Sequence, residues 1–534
     1  MKNLLLLWAI TASLAGFLFG FDTIVISGAE KDFQQQWQLD GFWHGLCMSA
    51  ALWGTVVGSI FGGIPAARFG RRRCLIVVGV LYFVSAVTSG IAPEPWTFMI
   101  ARFIGGLGVG AATIAAPMFI SEIAPANNRG KLAGMFQFNI VFGILVAFAS
   151  NWIIGNTISE SIAWRWMLGL EAVPALFYTI LSFTLPESPR WLITSANRRA
   201  EGKAVFGQIN PDVADHELEK LVADVEASVT DEGKTSPIWS RRLRVPLLLA
   251  FMVAFFNQFS GINIILYFAP RLLGLAGLSD PLMASISLGI TNLIFTFAGL
   301  ALIDRLGRRT LLYIGSVGYI VSLGVCSWAF LSTPAFQVVS AAVDLETATN
   351  LVVEAELSRR YVAEKDLPSI YDNYENAKVA LTEASSNDAY AGEPVAIPAD
   401  ASHDQTKTLA TEATTSAKQY LGFKSVLVLV CLIGFIAAHA IGQGTVIWVF
   451  IGEIFPNDHR ATGQALGSAT HWICAAGLSF LFPIAMERFE PGQLFGFFTF
   501  MMVLQLLWVK VLVPETKGVP LEEMQSRFGI KEET

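Results

Sequence analysis

A chain of 534 residues that is 53% hydrophobic and 15% charged, with a mean hydropathy of +0.53, carries too much apolar surface for a water-soluble globule. It reads as a polytopic membrane protein. The five cysteines, Cys47, Cys74, Cys326, Cys431 and Cys474, lie scattered in or beside apolar segments, so they point to packing, not to a metal or redox site.

The first apolar segment, residues 4–29, holds a single carboxylate, Asp22, within Gly20-Phe21-Asp22-Thr23. An ionised side chain inside a span is costly and marks a candidate functional site. Further apolar windows follow at 43–67, 74–92, 96–120, 131–154 and 164–185. The fourth carries a cation, Arg102. Counted from the ends of their segments, Asp22 and Arg102 fall at one depth, roughly 10 Å below the same face at about 1.5 Å per residue. They form a fixed packing pair, or a carboxylate that alternates between a proton and the arginine.

A polar stretch at 195–243 separates this half from windows at 244–270, 281–303 and 309–331; after a longer polar stretch come 423–450, 461–485 and 491–513. The expected organisation is 1–194 as a six-helix half, 195–243 as a linker of short amphipathic helices, and 244–331 with 423–534 as the second half. Residues 332–422 form an insertion. The basic residues of 68–73, 129–131, 198–203, 241–244 and 305–309 all fall on one side, which places both termini in the cytoplasm of a cell-membrane protein.

The halves repeat one another. Arg68-Phe69-Gly70-Arg71-Arg72 returns as Arg305-Leu306-Gly307-Arg308-Arg309, Glu122 with Arg129 returns as Glu453 with Arg460, and Pro186-Glu187-Ser188 returns as Pro514-Glu515-Thr516. Parallel six-span repeats mark a transporter architecture with its substrate between the halves. The repeat offset grows from 237 at Gly70 and Gly307 to 331 at Glu122 and Glu453, which measures an insertion of about 94 residues. Residues 332–420 hold 14 Asp and Glu against 6 Lys and Arg, so the chain's net charge of −7 belongs to the insertion. Within it, 341–361 and 374–384 read as helical and 392–404 as flexible; a solvated insertion and a ligand-capturing or partner-binding loop both fit.

Several motifs lead nowhere. Gly106-Leu107-Gly108-Val109-Gly110 lacks a preceding strand and suits close helix packing. Gly233-Lys234-Thr235 lacks the leading glycine of a phosphate loop, Ser228 standing there, so ATP is unsupported as a driving force. No catalytic constellation and no cofactor site is legible. Intramembrane amides and aromatics are the remaining source of specificity: Gln137, Asn257, Gln258, Asn263, Asn292, Trp448, His471 and Trp472. Amides match hydroxyls as both donor and acceptor, and an indole face matches the C–H face of a sugar. His439 faces the same cavity or is a packing histidine.

These motifs, with Gln258-Phe259-Ser260-Gly261-Ile262-Asn263 and Pro186-Glu187-Ser188-Pro189-Arg190-Trp191-Leu192, resemble the sugar porter family of the major facilitator superfamily nearly end to end, the insertion excepted. The resemblance implies an all-α membrane protein of 12 transmembrane helices in two six-helix halves. It places Gln137, Gln258, Asn263, Asn292 and Trp448 on sugar-contacting positions, and Phe19 and Tyr267 on gating positions. Asp22 and Arg102 fall on the pair of the proton-coupled members, a carboxylate that passive members lack. The implied activity is proton-coupled monosaccharide symport by rocker-switch alternating access. The alternatives are a passive facilitator of a sugar or a polyol such as inositol, or a transporter-like sugar sensor. Arg68, Arg72, Glu122 and Arg129, with Asp304, Arg308, Glu453 and Arg460, are expected to form the cytoplasmic latch. Three departures bear on the substrate: Asn257 stands where many members have glutamine, Gly444-Thr445 replaces Gly-Pro, and His471 replaces an amide. The expected partners are a sugar, a proton and the bilayer, without nucleic acid, for a monomer.

Overall fold

The computed structural model describes residues 2–125, 129–211, 213–230, 239–357, 367–456 and 459–519. Eleven helices among them are long and apolar enough to cross a bilayer. The sixth span of the first half is the exception, because it is assigned as Glu160–Leu170 and Ala172–Ser182, two 11-residue pieces. Pro174 has no N–H to give the carbonyl of Leu170, so the hydrogen-bond ladder lapses there, while Glu171 between the pieces keeps helical dihedrals, φ −58° and ψ −25°. Counting these pieces as one gives twelve spans in two sets of six.

The repeated motifs have a structural explanation. Gly70 and Gly307 adopt φ of 95° and 89° immediately before the third and ninth spans, Arg71–Gly90 and Arg308–Leu331. A Cβ at Gly70 would stand 2.1 Å from the Glu187 carboxylate, and one at Gly307 2.5 Å from that of Glu515. Those carboxylates cap the helices. Glu187 Oε1 accepts from the backbone N–H of Arg71 at 2.8 Å and Arg72 at 3.1 Å, and Glu515 accepts from Arg308 at 2.9 Å and Arg309 at 3.1 Å. An anion at a helix N-terminus satisfies otherwise orphaned donors and meets the positive end of the helix dipole. The motif pair ties each third span to the end of its own half.

Packing between spans follows the small residues. A Cβ on Gly106 would lie 1.9 Å from the Ala51 carbonyl and one on Gly110 2.4 Å from the Ser59 amide, so this glycine run in the fourth span, Pro95–Ile123, lets the second, Gly41–Phe61, approach backbone to backbone. The halves meet along two seams, the second span against the eleventh, Arg460–Met486, and the fifth, Arg129–Thr157, against the eighth, Pro281–Leu306.

Two spans of the second half are interrupted. The seventh is Arg244–Phe259, Ile262–Tyr267 and Ala269–Leu275, broken at Gly261 and again where Pro270 removes a donor. The tenth is Phe423–Ile441 and Gln443–Ile454, broken at Gly442 without any proline. There the Thr445 hydroxyl donates to the freed Ala440 carbonyl at 2.6 Å, which stabilises the break.

The insertion is a three-helix unit, Pro334–Leu357, Leu367–Ser385 and His403–Leu421. The third helix replaces the expectation of loop up to residue 404 followed by an unassigned stretch. Its start is a reciprocal capping box between Ser402 and Gln405. The side carrying this unit is called the insertion side below, the opposite one the arginine-rich side. On the latter lie the linker helices Arg199–Ile209 and Asp215–Thr230, joined by Arg199–Glu226 at 3.0 Å and by Lys203 to Asp215 and Glu219, each at 2.9 Å.

Candidate functional site

The first span, Lys2–Gln36, brings Asp22 against Arg102 of the fourth, both 2% exposed. Arg102 donates to Asp22 Oδ1 at 2.5 Å and to the Asp22 backbone carbonyl at 3.0 Å. A second buried carboxyl, Glu171 at the break of the sixth span, interacts with both. The site therefore holds two carboxylates against one guanidinium, and a single proton makes it neutral. The Tyr267 hydroxyl, from the second half, lies within electrostatic range of the pair. Glu171 was missed by the sequence reasoning, although the signal was the one that singled out Asp22: a lone carboxylate in an apolar window.

The amides of the seventh span gather around its first break. Gln258 closes one helix and Asn263 opens the next, with the left-handed Gly261, φ 85°, between them. Asn263 Nδ2 donates to Gln258 Oε1 at 2.8 Å, and Gln258 Nε2 donates to Asn257 Oδ1 at 2.9 Å and lies 3.1 Å from His471 Nε2. The His471 ring packs between Trp448 and Trp472, centroids 5.3 and 4.7 Å away. Trp472 in turn meets Phe19 of the first half edge-on at 5.7 Å. The result is a polar and aromatic patch at the junction of the halves, and each of its internal hydrogen bonds can be exchanged for one to a hydroxyl.

Gln137 and Asn292 make no hydrogen bond among the described residues and stay outside that network; Gln137 is half-buried and Asn292 is 9% exposed. His439 is held by the Tyr319 hydroxyl at 2.8 Å and abuts Gly444, as a packing histidine would be.

On the arginine-rich side the ionic contacts are paired differently from expectation. Arg71, not Arg72, forks onto Glu122, at 3.0 and 2.9 Å. Arg72 instead donates to the Phe183 carbonyl at 2.6 Å. Arg71 is the repeat counterpart of Arg308, which reaches Glu453 at 2.7 Å and Asp304 at 3.2 Å, while Thr516 donates to Glu453 at 2.7 Å. The first residue after each turn glycine points back at the neighbouring span, and the second points away. Each bridge stays within its own half. Arg68 lies over the Phe69 ring at 5.4 Å, Arg460 opens the eleventh span half-buried, and the side chain of Arg129 lies outside the described residues.

On the insertion side, polar contacts cross between the halves. Arg271 of the seventh span donates to Glu30 of the first at 2.8 Å and also bonds Gln34. Glu30 is 1% exposed, with His44 Nε2 3.2 Å from its other oxygen. Trp152 donates to Asp280 at 2.9 Å, and the Gly41 amide donates to Glu487 at 2.5 Å. The insertion helix Pro334–Leu357 packs on the segment bearing Arg271.

Two repeated six-span halves, a polar and aromatic patch where they meet, and a buried charge cluster beside it define a membrane transporter of the major facilitator fold. The chain belongs to the sugar (and other) transporter family, whose model matches residues 8–348 and 408–528 and passes over most of the insertion. It is 29% identical to the glucose transport protein of a Synechocystis strain, over 96% of this chain and 95% of that one. It is 28% identical to the D-xylose-proton symporter of Escherichia coli K12, over 97% and 94%, and 30% identical to inositol transporter 4 of Arabidopsis thaliana, over 98% and 91%. Among solved structures, the inward-open xylose transporter XylE of E. coli aligns with a TM-score of 0.72 at 26% identity, covering 97% of this chain and 98% of that one. XylE bound to 6-bromo-6-deoxy-D-glucose aligns at 0.65 and 26%, covering 98% and 99%.

Proposed function

We propose that the protein is a proton-coupled monosaccharide symporter working by rocker-switch alternating access, with the arginine-rich side and both termini in the cytoplasm. The observation that carries the coupling is the dry Asp22–Arg102 pair with Glu171 beside it. Two relatives named as proton symporters, for xylose and arabinose, support it. A proton arriving from outside neutralises Asp22 and releases Arg102. Sugar then enters between the halves, where Asn257, Gln258, Asn263 and His471 exchange their mutual hydrogen bonds for hydroxyls and Trp448 and Trp472 cover its apolar face. Gln137 and Asn292 reach the sugar as the halves close, and Phe19 and Tyr267 gate it. Tilting of the halves opens the cytoplasmic side, and loss of sugar and proton restores the ion pair.

The bridges across the insertion side, the in-half pairing of Arg71–Glu122 and Arg308–Glu453, and the TM-score of 0.72 to the inward-open relative support reading this structure as the state open to the cytoplasm. In the opposite state the arginine-rich ends come together and their charges latch across the halves. The test is external pH in a weakly buffered suspension of de-energised cells, with pentoses, hexoses and inositol added singly. Alkalinisation by a transported sugar is expected. Entry of labelled sugar with flat pH would make the charge pair structural and the protein a facilitator.

A further inference from the structure

The second, third and fourth spans leave a groove of about 420 Å³ open at one edge, walled by Phe61 and Phe69 and floored by Leu107 and Ala111. Its walls run parallel to the helix axes. Arg73, Val77 and Leu81 recur every fourth residue along the third span, Val57 and Phe61 do so along the second, and Pro65 continues that row on the short helix Gly63–Phe69. Eight residues at about 1.5 Å each give a length of roughly 12 Å. That is close to the depth of one leaflet's hydrocarbon, about half of roughly 30 Å. The lining is apolar except at the arginine-rich end, where Arg73 stands.

Arg73 differs from its neighbours. Arg71 is committed to Glu122 and Arg72 to the Phe183 carbonyl, whereas Arg73 is exposed and makes no hydrogen bond or ion pair among the described residues. An unshared guanidinium at headgroup level, above a slot the length of an acyl chain, matches the two ends of one ligand. Guanidinium binds phosphate oxygens in a forked geometry, and basic pockets at the ends of spans recognise anionic headgroups.

We propose that this groove is a binding site for a single anionic phospholipid of the leaflet on the arginine-rich side, its phosphate on Arg73 and one acyl chain between the second and third spans. Zwitterionic lipid fills the same slot with the chain alone. The site lies wholly within the first half and away from the sugar patch, so its occupancy does not depend on which substrate is carried.

The test is native mass spectrometry of the full-length protein, delipidated and then titrated with equimolar phosphatidylglycerol and phosphatidylcholine of identical chains. Wild type is expected to retain one phosphatidylglycerol at least fivefold over phosphatidylcholine. Arg73→Gln should abolish that preference while leaving phosphatidylcholine retention unchanged. Val77→Trp, at a position already facing the bilayer, should fill the slot and lower retention of both; circular dichroism and a thermal melt check that both variants fold. Equal retention of the two lipids by wild type, a preference that survives Arg73→Gln, or retention untouched by Val77→Trp would each overturn the assignment and leave only unselective boundary lipid.

Discussion

Replacing Glu30 by Gln should open the insertion side. Glu30 is buried and takes the guanidinium of Arg271 on one oxygen at 2.8 Å, with the second oxygen also 2.8 Å from Arg271. Removing one partner of a buried pair costs about 3–5 kcal/mol. Here the figure is discounted, because Arg271 is 24% exposed, keeps Gln34, and can still bond the new amide. About 1.5–2 kcal/mol remains. The bridge exists only when the first and seventh spans are together, so the loss falls on the shut state alone, and 1.4 kcal/mol is tenfold in an equilibrium. The population open on the insertion side should rise roughly 10- to 30-fold relative to the shut one. The assay is the distance distribution between spin labels at Asp40 and Ser279, after replacing the five native cysteines by alanine. A longer-distance population should grow in Glu30→Gln, and Arg271→Gln should match it. An unchanged distribution, or one moved to shorter distances, would refute the reasoning.

Glu171→Gln removes the buried carboxyl beside the Asp22–Arg102 pair, so the pH profile of sugar uptake should shift; an unmoved profile would show that Glu171 takes no part in coupling. Trp448→Ala should weaken sugar binding by about 1.5 kcal/mol, roughly tenfold in Kd by equilibrium binding, without affecting the Asp22–Arg102 pair. Glu187→Ala strips the cap from the third span and should cost about 1–2 kcal/mol, read as a lower thermal midpoint, with Glu515→Ala giving a similar loss in the second half.

What could be read in the sequence was whatever depends on local pattern or on a lone charge in an apolar run. The twelve spans, the repeat and the Asp22–Arg102 pairing are of that kind, since depth along a helix follows from counting residues. Glu171 was equally legible, as a lone carboxylate in the 164–185 window, and was passed over. Arg71 and Arg72 could not be told apart by charge. What separates them is the direction set by Gly70 and fixed by the Glu187 cap, a contact between residues 116 apart for Arg71 and 115 apart for Arg72. The Glu30–Arg271 bridge spans 241 residues and joins opposite halves, so no local signal announces it. The third insertion helix did carry one, the Ser402 and Gln405 spacing, but its low hydrophobicity hid it among loop residues.

The central claim is that Asp22 couples sugar to protons, and the most direct measurement compares wild type with Asp22→Asn in proteoliposomes under two regimes. With a proton gradient imposed, acid outside, wild type should accumulate labelled sugar above its external concentration and the variant should not. In counterflow from sugar-loaded vesicles, without a gradient, both should exchange, because an asparagine stands in for the protonated carboxylate that the loaded carrier holds. Accumulation by Asp22→Asn would contradict the account and leave the pair a packing feature of the first half.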